Sequence, residues 1–145
     1  MLTKITADEL GVDKRTDPVQ SIRGGALYLS KLMQKIPERI QEPDHSWLAL
    51  AAYNIGYGHL EDARVITQKK GNNPDSWKDV KDNLPLLRKR KWYRHTKNGY
   101  ARGNEAVRYV ENIRSYYDVL VWFTDQEKPN TPPPSRALEI ANPAL

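Results

Sequence analysis

The spacing of the apolar residues constrains the fold of this chain more than any other feature of its sequence. Apolar residues recur every three to four positions in the long segments, and no segment alternates apolar and polar residues for long enough to predict a good β-strand. The strongest segment, residues 104–123, has one broad apolar face made of Ala106, Tyr109, Val110, Ile113, Tyr117, Leu120 and Phe123. The pattern therefore predicts an all-α fold.

A second long helix is predicted to begin at residue 18. Asp17 is placed as its N-cap, Pro18 occupies the first helical position, and Gln20 is placed for a capping box. Gly24 and Gly25 weaken the helical propensity of this segment, which predicts that another backbone packs closely against it. A phosphate-binding loop is disfavoured because no strand flanks the two glycines.

Shorter helices are predicted from the residues that can begin or end them. Ser, Thr, Asp and Asn favour N-caps, whereas Gly favours the position after a helix. The predicted N-caps are Thr6, Asp44 and Asp75, and the predicted helix ends are Gly11 and Gly71.

One helix is interrupted in the middle of a good apolar pattern. The stretch "LALAAYNIGYGHLEDAR", residues 48–64, opens as a helix, breaks at Gly56 and Gly58, and then resumes helical spacing. Glycine costs about 1 kcal/mol in a helix interior, so it is placed where the backbone needs positive φ or where another group comes close. The break therefore predicts a close approach at this point.

The size and composition indicate one globular domain with a tail. The chain has 145 residues, of which 39% are hydrophobic and 28% charged, enough for a core without metals or disulfides. Residues 128–145 contain five of the ten prolines and have no sustained apolar pattern. We therefore expect a domain at residues 1–127 and a flexible tail at 128–145.

Several classes of protein are disfavoured by what the sequence contains. It has no cysteine, and its three histidines lack the spacing of metal ligands, so no metal or cofactor is expected. Residues 1–20 carry charge throughout and have no apolar segment of 7–15 residues. We therefore expect no signal peptide and no membrane-spanning helix within this chain.

A basic stretch follows the middle of the chain. Between Asn83 and Asn104 there is no acid, and the seven cations there are Arg88, Lys89, Arg90, Lys91, Arg94, Lys97 and Arg102. Such a run can hold phosphates, an anionic glycan or the carboxylates of its peptides, or it can be a solvated loop. No nucleic-acid fold signature accompanies it, so nucleic acid is not the expected partner.

The interrupted helix also carries a family motif. "AAYNIGYG" resembles the Ala-Tyr-Asn-Ala-Gly motif of the lytic murein transglycosylases with a lysozyme-like domain, with Ile55 in place of the small residue. "NPDSWKDVKDNLPLL" and "GYARGNEAVRYVENI" are similar to the catalytic domain of the membrane-bound lytic murein transglycosylase F family. The similarity runs from about Met1 to Phe123, and "MLT" at the start matches the end of a further family motif.

This resemblance implies an activity, a substrate and a set of site residues. Family members cleave the β-1,4 bond between N-acetylmuramic acid and N-acetylglucosamine in peptidoglycan without water, at the periplasmic face of the outer membrane. It implies that Tyr53 supports the catalytic acid and that Tyr53, Asn54, Gly56 and Tyr109 border the sugar-binding groove. Peptidoglycan is the expected partner, and a membrane only through segments outside this chain.

The resemblance also implies a lysozyme-like fold of which residues 1–127 are only the C-terminal portion, without the helix that carries the catalytic acid. In the family, the catalytic glutamate lies in a Glu-Ser pair upstream of the "MLT" position, so the chain is predicted to be inactive alone. Six glutamates could in principle substitute, and each is interpreted as a solvated or capping charge: Glu9, Glu38, Glu42, Glu61, Glu105 and Glu111. The alternative hypothesis is a non-catalytic module that binds peptidoglycan or regulates its turnover, and nucleic-acid binding through residues 88–102 ranks last.

Overall fold

The computed structural model of this protein describes residues 4–14 and 16–125, apart from the side chains of Ile5 and Glu9. Its elements are α1 (Lys4–Glu9), α2 (Pro18–Lys35), α3 (Asp44–Ile55), α4 (Tyr57–Lys69), α5 (Trp77–Asn83), a 3₁₀ helix (Leu84–Arg88), α6 (Arg90–Tyr93) and α7 (Gly103–Thr124). None of the described residues lies in a β-strand, which confirms the predicted all-α class. The predicted tail at 128–145 lies outside the described residues.

Helix α3 forms the centre of the core, and α2, α4 and α7 all pack against it. Its inner face carries three alanines, Ala49, Ala51 and Ala52, each with no exposed surface. Small side chains let neighbouring helices approach closely, and larger residues from those neighbours then fill the remaining space. The largest fully buried apolar side chains are Leu32, Ile36, Leu48, Leu60, Leu84, Leu87, Val80 and Val110.

Helix α2 begins as predicted, but its capping box does not form. Asp17 is the N-cap, and its carboxylate accepts a hydrogen bond from the Gln20 N–H at 2.8 Å. The Gln20 side chain, however, accepts from the Lys14 N–H at 3.1 Å instead of from the N-cap. The N-cap N–H is not free for Gln20, because it donates to the Lys14 carbonyl at 2.9 Å.

None of the other three predicted N-caps forms. Thr6 lies inside α1, which already includes Lys4. Asp44 is the first residue of α3, and its carboxylate accepts from the N–H of Trp77, the first residue of α5, at 2.8 Å. Asp44 therefore accepts a hydrogen bond from the first N–H of α5, a helix 33 residues further along the chain. The spacing of residues around Asp44 could not indicate this partner.

Asp75 is also not the N-cap of α5, because Ser76 holds that position. The Asp75 carboxylate accepts from Arg39 Nε at 2.7 Å and from Arg64 Nη2 at 2.5 Å. Arg64 is nearly buried and donates in addition to Glu61 at 2.6 Å. Hydrogen bonding to Arg39, together with Arg64, lowers the pKa of Asp75 despite partial burial.

Helix α7 is only half buried on its predicted apolar face. Ala106 and Val110 are in the core, but Tyr117, Leu120 and Phe123 are more than half exposed. The 22 residues of α7 extend about 33 Å, whereas the 12 residues of α3 extend about 18 Å, so the last turns of α7 pass beyond their main partner. In the described part of the chain, no helix is both long and apolar enough to cross a membrane.

Candidate functional site

The helix break depends on a single residue. Gly56 has φ +94° and ψ 142°, and it separates α3 from α4. Its N–H donates to the Ala52 carbonyl at 2.8 Å, and its own carbonyl accepts from the Leu60 N–H at 3.1 Å. The same residue therefore ends one helix and begins the next in a conformation that a residue with a side chain rarely adopts.

The second glycine of the motif has a different role. Gly58 lies in the first turn of α4, and a Cβ at this position would be 2.7 Å from the Asn98 Oδ1 atom. The prediction that a glycine here permits a close approach is confirmed, and the approaching group is an asparagine of the basic stretch. Gly56 provides the bend and Gly58 provides the space.

Asn54 lies at an open cavity beside the break. The cavity measures about 310 Å³ and is lined by the last turn of α3, the first turn of α4 and the segment that leads into α7. Its lining residues are Asn54, Ile55, His59, Tyr100, Ala101, Arg102 and Glu105. The Asn54 side chain is exposed, and the cavity presents an amide, an imidazole, a guanidinium and a carboxylate around an aromatic ring. Such a mixture suits a polar ligand with hydrogen-bonding groups on several sides.

Tyr53 is directed into a group of tyrosines rather than into that cavity. Its ring lies 5.4 Å from that of Tyr28 and is almost parallel to that of Tyr109, at 6.3 Å between centroids. Burial raises the pKa of the Tyr109 hydroxyl, and the neighbouring Tyr53 raises it further. These three tyrosines pack against the core and are only partly buried, so they form one wall that is both aromatic and polar.

The tyrosine group also accounts for a glycine of α2. A Cβ at Gly25 would lie 3.0 Å from the Tyr53 hydroxyl oxygen. The predicted close approach to this helix is confirmed, but the approaching group is this hydroxyl and not another backbone. The positions of Tyr53, Asn54, Gly56 and Tyr109 thus meet at one end of α3, although only Asn54 lines the cavity.

Asp62 is a site residue that the sequence analysis missed. It is buried on α4, and its carboxylate accepts from the N–H groups of Lys97 and Asn98 at 3.1 and 2.9 Å and from the Asn98 amide at 3.1 Å. His59 Nδ1 lies 3.9 Å from Asp62 Oδ2 and has no hydrogen-bond partner among the described residues. One signal was present in the sequence, because Asp62 precedes Ile66 by four residues and so shares its buried face.

Metal binding has no support in this geometry. Among the side chains that the structure describes, no group of three or more His, Asp or Glu residues could hold a metal ion. The glutamate that lines the cavity, Glu105, pairs instead with Arg102 at 3.3 Å. The residues that line the cavity offer hydrogen bonds, an aromatic contact and charge.

Several known proteins similar to this chain share one name. The protein named membrane-bound lytic murein transglycosylase F of Alteromonas mediterranea is 61% identical over 128 residues, which cover 88% of this chain and 28% of that protein. Proteins of the same name from Pseudoalteromonas translucida and Shewanella loihica are 57% and 59% identical, over 91% and 88% of this chain and 29% and 27% of their own lengths. The chain spans less than a third of these relatives.

A family comparison covers the helix break itself. Residues 1–76 match the family described as Transglycosylase SLT domain, and this range includes Tyr53, Asn54 and Gly56. The resemblance predicted from the "AAYNIGYG" motif is therefore confirmed. This match covers more than half of the residues of the chain, and the chain therefore belongs to the transglycosylase SLT domain family.

Proposed function

We propose that this chain is the part of a peptidoglycan lytic transglycosylase that holds the glycan strand. The observation that carries the proposal is the polar cavity at the helix break, which Asn54 lines, one residue after Tyr53, whose ring is stacked with that of Tyr109. A sugar chain has alternating apolar ring faces and polar edges, so it suits aromatic side chains beside amide and charged groups. Membership of the family supports the same substrate.

The proposed reaction is cleavage of a β-1,4 glycosidic bond without water. A carboxylic acid donates its proton to the glycosidic oxygen, and the bond from that oxygen to C1 of N-acetylmuramic acid breaks. The C6 hydroxyl of the same sugar then bonds to C1, and its proton returns to the carboxylate, leaving a 1,6-anhydro end. The nucleophile belongs to the substrate, so little entropy is lost in its approach. Tyr53 and Asn54 position the strand in this proposal.

The proton donor is proposed to be a glutamate supplied from outside these residues. A donor must stay protonated, yet Glu61, Glu105 and Glu111 each lie within 3.3 Å of an arginine nitrogen. Each of these carboxylates is therefore already engaged in an ion pair within the chain. Glu105 lines the cavity, but its side chain is 53% exposed and is therefore not enclosed in an apolar pocket.

The place of action is proposed to be the periplasmic face of the outer membrane. The relatives are named membrane-bound, and peptidoglycan is a component of the cell envelope. In this proposal, attachment to the membrane comes from segments other than the residues described here.

The groove is tested by binding to purified peptidoglycan sacculi. We expect Tyr53→Ala and Asn54→Ala to reduce retention on sacculi, because one removes an aromatic contact and the other a hydrogen-bonding amide. Tyr116→Ala and Asn72→Ala are matched controls, since both residues are exposed and lie outside the cavity. Equal retention of all four variants would overturn the proposal that Tyr53 and Asn54 hold the glycan strand.

The acid is tested by mass spectrometry of digested sacculi. We expect the chain alone to produce no 1,6-anhydromuramic acid ends. Ends that appear with the chain and disappear with Glu105→Gln would show that the donor is the cavity glutamate and that our assignment of the acid is wrong. Binding without cleavage under every condition, including addition of the segment that carries the family's Glu-Ser pair, would favour a non-catalytic peptidoglycan-binding module. The arginine pairing of the glutamates is the observation that keeps this alternative in place.

A further inference from the structure

The basic loop, residues 88–102, has the highest concentration of positive charge in this chain. Its cations are Arg88, Lys89, Arg90, Lys91, Arg94, Lys97 and Arg102. These seven positive charges exceed the net charge of +5 for the whole chain, so the remaining residues are net negative. A concentration of one sign in a single segment points to a partner of the opposite sign.

The basic loop is a folded element of the surface. The Ala101 N–H donates to the Leu87 carbonyl at 3.1 Å, which closes the loop at its base. Trp92 packs against the core, and the rings of Tyr93 and Tyr100 meet edge to face at 5.7 Å. Trp92 therefore ties the loop to the core, while Lys89, Arg90 and Lys91 beside it in the chain are exposed.

Most of these cations are free to bind an external anion. Lys89, Arg90, Lys91 and Lys97 are exposed, and among the described side chains none of them forms an ion pair with an acid. Arg102 is the member of the group that does, with Glu105 at 3.3 Å. The charge of the loop is therefore largely uncompensated within the described structure.

The basic loop is continuous with the cavity. Tyr100, Ala101 and Arg102 belong to both, and Asp62 ties residues 97–98 of the loop to α4. At the other end of the loop, Arg88 donates to Asn104 Oδ1 at 3.3 Å, next to the start of α7. A polymer that occupies the cavity would therefore place its side branches against the basic loop.

From this arrangement we infer that the basic loop binds the free carboxylates of the peptide stems on the glycan strand, so that the protein prefers strands with charged stems. The inference rests on the proposed function, which supplies the glycan in the cavity. Stems and glycan belong to one polymer, so a strand held in the cavity raises the local concentration of carboxylates at the loop. Each exposed ion pair contributes little binding free energy, but several together give a measurable preference for strands with charged stems. Salt weakens this preference because it screens exposed charges.

The test compares ordinary sacculi with sacculi whose free carboxylates have been converted to neutral amides by a carbodiimide and ethanolamine. The variant K89Q/R90Q/K91Q removes three cations of the basic loop. Its matched control, K31Q/K69Q/K78Q, removes three exposed cations outside the loop and therefore has the same net charge. Retention is measured for each protein on both kinds of sacculi, at low and at physiological salt, after circular dichroism shows equal helix content.

We expect the unmodified chain to bind amidated sacculi about tenfold more weakly than ordinary sacculi, as several exposed ion pairs would give. The loop variant should bind ordinary sacculi as weakly as amidated ones, and the control variant should keep the difference. A loop variant that keeps the full preference, or a control variant that loses it equally, would overturn the inference.

Two further arms distinguish peptide stems from a lipid surface and the loop from the groove. Vesicles of phosphatidylcholine with phosphatidylglycerol test a membrane surface, and a loss of vesicle binding in the loop variant with an unchanged preference among sacculi would replace peptide stems with lipid. Tyr53→Ala and Asn54→Ala are measured on amidated sacculi, where only the glycan contributes. If these two variants lose binding to amidated sacculi but still prefer ordinary sacculi, both the glycan site and the basic loop are supported. If they bind amidated sacculi as well as the unmodified chain does, the glycan site is rejected, and the preference of the basic loop is judged from the loop variant alone.

Discussion

Gly56 determines the geometry of the site at the scale of a single residue. Its φ of +94° with ψ of 142° lies where residues with a Cβ are strained, yet a Cβ at this position would meet nothing within 4 Å. The requirement for glycine is therefore conformational and not steric. Asn54 stands two residues before it and His59 three residues after it, so the bend lies between two residues that line the cavity.

We predict that Gly56→Ala reduces the free energy of unfolding by about 1–3 kcal/mol, because alanine is strained at this φ. It should also weaken retention on sacculi, because a backbone that relaxes at residue 56 would shift the end of α3, where Asn54 lies. Gly71→Ala is the matched control, since Gly71 has φ +80° with open space around it and lies about 20 Å away at the other end of α4. Urea denaturation and sacculi binding are measured for both. Loss of binding in the control as well would show that stability, and not the bend, is responsible.

At the scale of elements, α4 and the basic loop are joined by one buried carboxylate. Asp62 accepts two backbone N–H bonds and one amide bond from Lys97 and Asn98, and Gly58 leaves space for the Asn98 side chain. Hydrogen bonds to a charged group are stronger than neutral ones, so this contact holds a segment with little apolar burial of its own.

We expect Asp62→Asn to loosen the end of the basic loop and to reduce stability by about 1–3 kcal/mol. Hydrogen exchange at the Lys97 and Asn98 amides should become faster, and trypsin should cleave after Lys97 more readily. The control is Asp82→Asn, an exposed carboxylate on α5 outside this contact. Unchanged protection of both amides in Asp62→Asn would contradict the anchoring role.

At the scale of the whole molecule, Asp75 joins segments that are distant in sequence. Its carboxylate bonds to Arg39 between α2 and α3 and to Arg64 on α4, while Arg64 also donates to the Pro74 carbonyl at 2.9 Å. Hydrogen bonding to Arg39 leads the causes that lower the pKa of Asp75. A carboxyl group whose pKa is lower in the folded state stabilises the fold when it is charged.

This arrangement predicts a pH-dependent stability. The contribution of Asp75 is fully present above its unfolded pKa of about 3.9 and is lost as the pH falls through the lower folded pKa. Asp75→Asn should therefore reduce stability by about 2 kcal/mol at neutral pH, and its deficit should shrink at about pH 3. Urea denaturation of both proteins at the two pH values measures this, and a deficit that does not shrink would contradict it.

Much of the secondary structure follows from local pattern. The apolar periodicity indicated α2, α3 and α7, and the glycines indicated the break between α3 and α4. Capping was predicted less well, since Asp17 caps as expected whereas Asp44 and Asp75 bond to other segments. A carboxylate takes the donor that is nearest in space, and spacing along the chain does not specify that donor.

The arrangement of side chains at the helix break could be predicted only in part for the same reason. The motif identified Asn54 and Tyr53, but their different directions, one to the cavity and one to Tyr28 and Tyr109, depend on how three helices pack. Asp62 was missed because its partners lie 35 and 36 residues further along the chain.

By itself, the sequence determined the all-α class, the long helices, the position of the helix break and the family, because each of these depends on residue types at short spacing. Only the tertiary structure decided which groups meet at that break. Helix packing places the basic loop against α4 and Arg64 beside Asp75. It also leaves the last turns of α7 exposed. Contacts of this kind are set by the whole packed molecule, since a polar group buried by folding must take its partner from whatever lies beside it.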